Sequence, residues 1–256
     1  ILGTPRRATM PDDPALCERL AWDTAFFGFP IARIKSENLT ADQIPMIDDW
    51  CKQEAIRCLY FLSNSDTIES TQVAEEHGFH LVDIRLTLSC DVALSAQNYP
   101  IAVQGSSSLN MRAAHAEDIP VLKDIAARSY THTRFFIDPH FPKTLSAALY
   151  EKWIERSCQG YADAVILAEA QARPVGYISC HRNGGNGNIG LLGVAEEARG
   201  LGIARNLIMS ALQWFQTAQV QTVTVVTQGR NYAAQRAYQR CGFVTESIRL
   251  WYHRWL

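Results

Sequence analysis

The chain has 256 residues, 47% of them hydrophobic and 20% charged, with a formal net charge of −2. That is the make-up of one or two ordinary globular domains. The absence of a basic block speaks against a nucleic-acid partner. No apolar run approaches the roughly 18 residues that a membrane span needs, and the N-terminus does not read as a signal peptide. The seven cysteines are odd in number and form no Cys-x-x-Cys. They read as reduced, mostly buried thiols of a cytoplasmic protein, so neither a disulfide nor a metal site is expected.

In chain order, residues 1–14 read as a disordered or tag-derived lead, with Met10 as a candidate start. Trp22-Asp23-Thr24-Ala25-Phe26-Phe27-Gly28 reads locally as an aromatic core strand. An apolar run at residues 59–63 predicts a strand, and residues 68–77 predict a helix that stops at Gly78-Phe79. The stretch 96–108 is poor in apolar residues and holds Gly105-Ser106-Ser107-Ser108, which marks a linker between a first domain, 15–95, and a second, 109–256.

The second domain opens with a short strand at 109–112. Asp118-Ile119-Pro120 supplies an acid cap and an early proline for a helix running to about Ser129. After a loop at 130–142, residues 145–158 predict a second helix. Residues 165–169 and 175–180 flank Ala172-Arg173-Pro174 as a hairpin, and the turn at 183–188 leads into a strand at 189–194.

The most informative stretch follows. Arg199-Gly200-Leu201-Gly202-Ile203-Ala204 lies between that strand and a helical run at 203–217. A strand that delivers a glycine-rich turn onto a helix N-terminus makes a cradle for a diphosphate: N–H groups converge, the helix dipole favours an anion, and glycine lets the backbone approach. A dinucleotide-binding turn would read Gly-x-Gly-x-x-Gly, with an acid roughly 20 residues on for the ribose. Here the third glycine position is Arg205, and the downstream residues are Thr222-Val223-Thr224-Val225. The six-residue motif also matches the Gln/Arg-x-x-Gly-x-Gly/Ala turn that holds coenzyme A, through Arg199, Gly202 and Ala204.

Residues 222–227 alternate as a β-branched strand. Next comes Asn231-Tyr232-Ala233-Ala234-Gln235-Arg236-Ala237-Tyr238-Gln239-Arg240-Cys241-Gly242-Phe243. Gly242 is the expected helix stop, and Phe243 opens a last strand. The pattern Gly-Phe-x-x-x-x-Ile-Arg-Leu occurs twice, at 78–86 and at 242–250, 164 residues apart. The flanking strand and helix patterns recur too, so the first domain reads as a degenerate half-copy of the second. Tyr238 falls on Ala74 and Asn231 on Thr67, while Gly200, Gly202 and Ala204 fall on Ser36, Asn38 and Thr40. Only the second copy keeps the cradle, so one active site per chain is expected.

The two motifs together resemble the GNAT superfamily of N-acetyltransferases. That resemblance implies an α/β (α+β) fold: the GNAT acyl-CoA N-acyltransferase fold, a central mixed, mostly antiparallel sheet flanked by helices, with a degenerate GNAT-like N-terminal half. It implies acetyl-CoA as co-substrate, bound by Leu192, Val194, Arg199, Gly200, Leu201, Gly202, Ile203, Ala204, Asn231, Ala234 and Tyr238. The strand ending at Val194 would part from the strand at 222–227. The backbone N–H of Val194 would polarise the thioester carbonyl, and Tyr238 would protonate the departing thiolate. A homodimer is implied as well.

The segment Trp22 to Gly28, together with Thr133-Arg134-Phe135, Trp153-Ile154, Ile189-Gly190-Leu191-Leu192, Thr227-Gln228 and Glu246-Ser247, resembles the dTDP-fucosamine acetyltransferases of that superfamily. The acceptor implied is the amine of a nucleotide-linked 4-amino-4,6-dideoxyhexose. Tyr130, Arg134, Phe135 or Phe136, Trp251 and Tyr252 are the candidate acceptor wall, with Arg134 able to pair bidentately with a phosphate or carboxylate. No carboxylate or histidine lies on the strand 189–194. His181 and Glu169 are weak candidates for a general base, and Glu196 and Glu197 read as solvated. An amino-sugar nitrogen, less basic than lysine, is partly neutral already and can use water as its proton relay. Acetylation of another small amine, such as an antibiotic precursor or an amino acid, and a non-catalytic acyl-CoA-binding role are the alternatives.

Overall fold

The computed structural model of the protein describes residues 16–98 and 109–256. The expected lead, 1–14, and residues 99–108 of the expected linker lie outside them. The described chain packs as two units: residues up to His80 together with Tyr252–Leu256, and Leu81–Trp251.

The first unit is built from β1 (Cys17–Arg19), α1 (Ala21–Phe27), β2 (Ile31–Ile34), α2 (Ile44–Gln53), β3 (Cys58–Asn64) and α3 (Ile68–Glu76). β1 runs antiparallel to β2, and β2 runs parallel to β3. β3 opens with four buried residues in succession, Cys58 to Phe61, as a strand covered on both faces requires. The aromatic segment at 22–28 is a helix, not the expected strand. Trp22 and Phe26, four residues apart on one helical face, stack at 5.0 Å, and the N–H of Gly28 closes the helix on the Thr24 carbonyl at 3.0 Å. Tyr252 belongs to this unit, its hydroxyl donating to Glu75 (3.1 Å) and its ring beside Phe61.

The second unit contains β4 (His80–Asp91), α4 (Val92–Asn98), β5 (Leu109–Ala113), α5 (Ile119–Ser129), α6 (Arg134–Ile137), α7 (Lys143–Arg156), β6 (Ala164–Ala170), β7 (Arg173–Asn183), β8 (Asn186–Val194), α8 (Ile203–Thr217), β9 (Thr222–Gln228), α9 (Tyr232–Gln239) and the body of β10 (Val244–Trp255). Its sheet runs β10–β4–β9–β8–β7–β6–β5. β5 to β8 pair antiparallel in succession, β4 pairs antiparallel with β9, and β8 with β9 is parallel. This is the expected mixed, mostly antiparallel sheet. The division into units falls after His80, the first residue of β4, whereas the expected boundary was 96–108; the rest of β4 pairs with β9 from Arg85↔Gln228 to Asp91↔Thr222. Residues 96–98, expected as linker, close α4.

α8 buries a regular stripe of Ile203, Leu207, Ile208, Ala211, Leu212 and Phe215. A side chain at Gly176 would meet Leu207 and Ile203 of that helix. The next residue on β7, Tyr177, reaches Tyr130 at the end of α5. Neighbouring residues of a strand point to opposite faces, so α5 and α8 cover the two sides of the sheet.

Two further expectations are adjusted. Asp118 does not cap α5 with its side chain; its carboxylate accepts from the His115 N–H (2.8 Å) and from Arg112 (2.7 and 2.9 Å). α7 ends at Arg156 and continues as a wide turn, Ser157–Tyr161, broken at Gly160 with φ 99°.

The internal repeat extends to element bounds. β3 and β9 start and end 164 residues apart, as do β4 and β10, and α3 and α9 begin 164 apart. The bond from Phe79 N–H to the Ala74 carbonyl (3.0 Å) recurs from Phe243 to Tyr238 (3.2 Å).

Candidate active site

β8 and β9 are in register only from Asn186↔Thr222 to Ile189↔Val225 and then part. The edge of β8 beyond that point is open. The N–H of Ala195 donates to the Val175 carbonyl at 2.8 Å, which makes 175/195 a hydrogen-bonded pair. Bonded and non-bonded pairs alternate in an antiparallel ladder. Gly176↔Val194 and Ile178↔Leu192 therefore turn the N–H and C=O groups of Val194 and Leu192 towards the gap. The expected oxyanion donor, Val194 N–H, is free to face it.

The cradle follows at once. Gly200 and Gly202 adopt φ of 80° and 78°, a left-handed conformation that costs other residues about 1–2 kcal/mol. No atom lies within 4 Å of where a side chain would stand at either glycine, so the backbone there is open to a ligand. Gly202 caps α8 without any side-chain hydrogen bond, and the first bond of the helix is Asn206 N–H to Gly202 carbonyl. The N–H groups of Ile203 and Ala204 precede it and are the orphan donors of a helix start. Ile203 itself is buried against the core and Leu201 is 73% exposed. Arg199 spends its guanidinium on the backbone, with Nε on the Val194 carbonyl and Nη2 on the Arg128 carbonyl, both 3.3 Å. It fastens the turn to β8 and α5. Gly202→Val is expected to lower stability by about 1–2 kcal/mol and to weaken coenzyme A binding further, read by thermal unfolding and by titration with coenzyme A.

At the other side of the gap, Asn231 caps α9 by accepting from the Ala234 N–H at 3.1 Å. Both residues therefore hold the helix that carries Tyr238. The Tyr238 ring is 3% exposed and packs edge-on against Phe243 at 5.4 Å. Burial pushes its phenol above the usual value of 10, with Cys241 and Cys180 adding to the rise. Its hydroxyl has no hydrogen-bond partner among the described residues, in contrast to that of Tyr130, which meets the Tyr177 hydroxyl at 3.1 Å. Tyr130 also stacks on Tyr150 at 4.3 Å. Tyr130 is raised well above 10, mainly by burial, with Tyr177 and Tyr238 close enough to contribute. Gly193 makes room for this cluster: a Cβ there would stand 2.8 Å from the Tyr177 ring.

The expected acceptor residues divide. Tyr130 is in the cluster. The Arg134 guanidinium lies 4.2 Å from the Trp251 ring centre and 4.3 Å from that of Phe135, so Arg134 and Trp251 form one stacked wall. Phe135 is buried edge-on against Phe141 and is core. Glu169 accepts from Arg112 Nε at 2.6 Å, which takes it out of contention as a base. Glu196 and Glu197 are exposed in the turn before the cradle. His181 is half-buried on β7, and burial holds it below the usual 6.5.

Sequence reasoning missed Asp83. It is 4% exposed on β4, accepts from the Ile84 N–H at 2.8 Å, and burial pushes its carboxyl up to about 6 against the opposing pull of that N–H, Arg134 and Arg230. Asp83 in turn raises Tyr150, which burial brings to about 12. The signal in the sequence was an acid inside the otherwise apolar run Leu81-Val82-Asp83-Ile84. It falls in the degenerate half, where no site was expected.

Comparison with known proteins bears on this geometry. Residues 122–243 match the model of the acetyltransferase (GNAT) family. The chain is 31% identical to a dTDP-fucosamine acetyltransferase of Escherichia coli O6:H1 over 94% of its own length and 98% of the relative's. The chain belongs to the GNAT family of acetyltransferases. A spore coat polysaccharide biosynthesis protein of Bacillus subtilis is 28% identical over 54% of this chain and 48% of its own. The crystal structure of a GCN5-related N-acetyltransferase from Sphaerobacter thermophilus shares the fold, with a TM-score of 0.66 at 14% identity over 93% of this chain and 76% of that one.

GNAT enzymes are acetyl-CoA-dependent, and the residues of this one fit that co-substrate. The open edge at Leu192 and Val194, the uncapped start of α8 and the side-chain-free space over Gly200 and Gly202 form one continuous backbone surface. All seven cysteines are free thiols, six of them buried. No group of residues suited to a metal occurs among the described residues, and no described helix is long and apolar enough to cross a membrane.

Proposed function

We propose that this GNAT enzyme transfers acetyl from acetyl-CoA directly to the amine of a nucleotide-linked amino sugar of the dTDP-4-amino-4,6-dideoxyhexose type. The observation that carries the reading is the presence of two buried groups suited to proton transfer: the Tyr238 phenol, without a hydrogen-bond partner among the described residues, and the Asp83 carboxyl, which burial raises to about 6. The likeness to a dTDP-fucosamine acetyltransferase across nearly the whole chain supports the acceptor class.

Bound acetyl-CoA supplies the thioester that the amine attacks. The N–H groups at 200–204 hold its diphosphate, and the edge of β8 at Leu192 and Val194 pairs with its amide-bearing arm as a strand would. The Val194 N–H donates to the carbonyl oxygen as negative charge grows there; such a donor contributes roughly 3 kcal/mol to the rate. Asp83, ionised above pH 6, takes the proton that the amine loses. Tyr238 gives its hydroxyl proton to the departing sulfur. Because burial keeps that phenol protonated throughout the working range, the proton is in place whenever the carbon–sulfur bond breaks.

Thiol release from acetyl-CoA, measured across a panel of amines that includes dTDP-4-amino-4,6-dideoxygalactose, tests the reading. The nucleotide-linked amine is expected to exceed free amino acids and simple polyamines in kcat/KM by about a hundredfold or more. Equal turnover of all amines would remove the acceptor assignment, and tight coenzyme A binding without any turnover would remove the catalytic one.

A further inference from the structure

A cavity of about 490 Å³ opens between the end of α7, the turn Ser157–Tyr161 and the strands β7 and β8. That is the size of a small-molecule site. None of its lining residues has a part in the chemistry above. Trp153, Arg156 and Tyr161 form one wall; His181, Asn188 and Gly190 lie along the strands.

The wall has the features of a site for a flat, anionic ligand. Tyr161 is 68% exposed, yet its ring is held in place, with the Arg156 guanidinium 5.2 Å from its centre and the His181 ring edge-on at 5.4 Å. Arg156 makes no ion pair among the described residues. Asn188 donates through Nδ2 to the Thr224 carbonyl and hydroxyl (3.3 and 3.2 Å), which leaves its side-chain oxygen as an acceptor. The space is kept clear by Gly190, where a Cβ would stand 2.6 Å from His181 Nε2.

The cavity also adjoins the reacting centre. Asn188 immediately precedes Ile189, the last residue of β8 in register with β9. Trp153 meets Tyr150 edge-on at 5.2 Å, and Tyr150 is the ring stacked on Tyr130. One aromatic wall thus runs from the cavity to the tyrosine cluster beside Tyr238.

We propose that this cavity is the nucleoside diphosphate subsite of the acceptor: the pyrimidine stacks against Tyr161 and Trp153, its N–H donates to the Asn188 oxygen, and Arg156 pairs with the diphosphate. The assignment rests on the acceptor being nucleotide-linked. It gives Arg156 the phosphate-binding role for which Arg134, stacked on Trp251 beside Asp83, is less suited.

The test is calorimetric titration with dTDP alone of the wild type, Tyr161→Ala and Arg156→Ala, followed by steady-state kinetics. Both side chains are exposed, and thermal melts check that the variants remain folded. Each variant is expected to weaken dTDP about tenfold or more, with the KM for the nucleotide-linked amine rising in step. The kcat at saturation, the KM for acetyl-CoA and the rate of Tyr161→Ala with the matching amino-sugar 1-phosphate, which lacks the nucleoside, are expected to hold. An enzyme that acetylates the nucleotide-linked amine while both variants bind dTDP like the wild type would overturn the subsite and leave the acceptor reading standing. dTDP bound through Tyr161 and Arg156, without turnover of the amino sugar, would support the subsite and overturn the choice of sugar. No binding of dTDP to the wild type would overturn the subsite outright.

Discussion

Tyr238→Phe is expected to lower kcat about 10²- to 10⁴-fold, the range that a positioned general acid contributes, while the KM for acetyl-CoA stays within about twofold. The substitution removes one oxygen from a ring held by Phe243. That oxygen has no partner among the described residues, so its loss orphans no buried group there and stability should change by less than about 1 kcal/mol. A merely structural tyrosine would give the opposite pattern: unchanged kcat and a lower melting temperature. Leaving-group dependence separates the roles further. With an acyl donor whose thiol is more acidic than that of coenzyme A, the variant should recover much of its rate, because a better leaving group needs less protonation. A rate deficit that is the same for both donors would end the general-acid assignment.

The catalytic half of the fold was legible because its signals are local. The helix 203–217 was readable to its end residues from its apolar spacing, the strand before it from an apolar run and the strand after it from β-branched alternation. The cradle was legible because Gly200 and Gly202 mark backbone that only glycine adopts without strain. The repeat was legible at two Gly-Phe steps because helix termination is written in a few residues. What escaped depends on tertiary partners. The segment at 22–28 was read as a strand because aromatic residues favour strands, yet the stacked Trp22–Phe26 pair and the Gly28 stop make it a helix. Asp118 carries the sequence of a helix cap, but Arg112 and the His115 N–H claim its oxygens. Glu169 and Arg134 were assigned roles by residue type, and their actual partners, Arg112 and the Trp251 ring, come from strands far along the chain. Asp83 was invisible for a related reason. It lies in the half-copy that lost its cradle, and only the pairing of β4 with β9 brings that strand into the catalytic unit. Under the proposed mechanism the degenerate copy contributes a residue, although it lacks the cradle of the second copy.

Asp83→Asn is expected to separate activity from stability. Burial raises the Asp83 carboxyl from 3.8 to about 6, so the native state favours the protonated form. That contribution to stability is complete below about pH 4 and is lost as pH rises through about 6. Above pH 6 the ionised carboxylate costs the native state up to about 3 kcal/mol, at 1.36 kcal/mol for each pKa unit. Asparagine keeps the acceptor oxygen for the Ile84 N–H and removes the charge. The variant should therefore melt higher than the wild type at pH 8, and the difference should vanish near pH 4, where both side chains are neutral. Its activity should move the other way. The wild-type kcat/KM is expected to rise with pH through about 6 as the base ionises, and the variant should lose that limb together with about 10²- to 10⁴-fold in kcat. If Asp83 is the base, such a cost is the stability–activity trade-off expected of a catalytic site. Differential scanning calorimetry and pH–rate profiles on the same preparations read both effects. A variant that keeps the wild-type pH limb would remove Asp83 from the chemistry, and one that melts lower at pH 8 would mean that the carboxylate serves as a partner for Arg134 and Arg230 before it serves as a base.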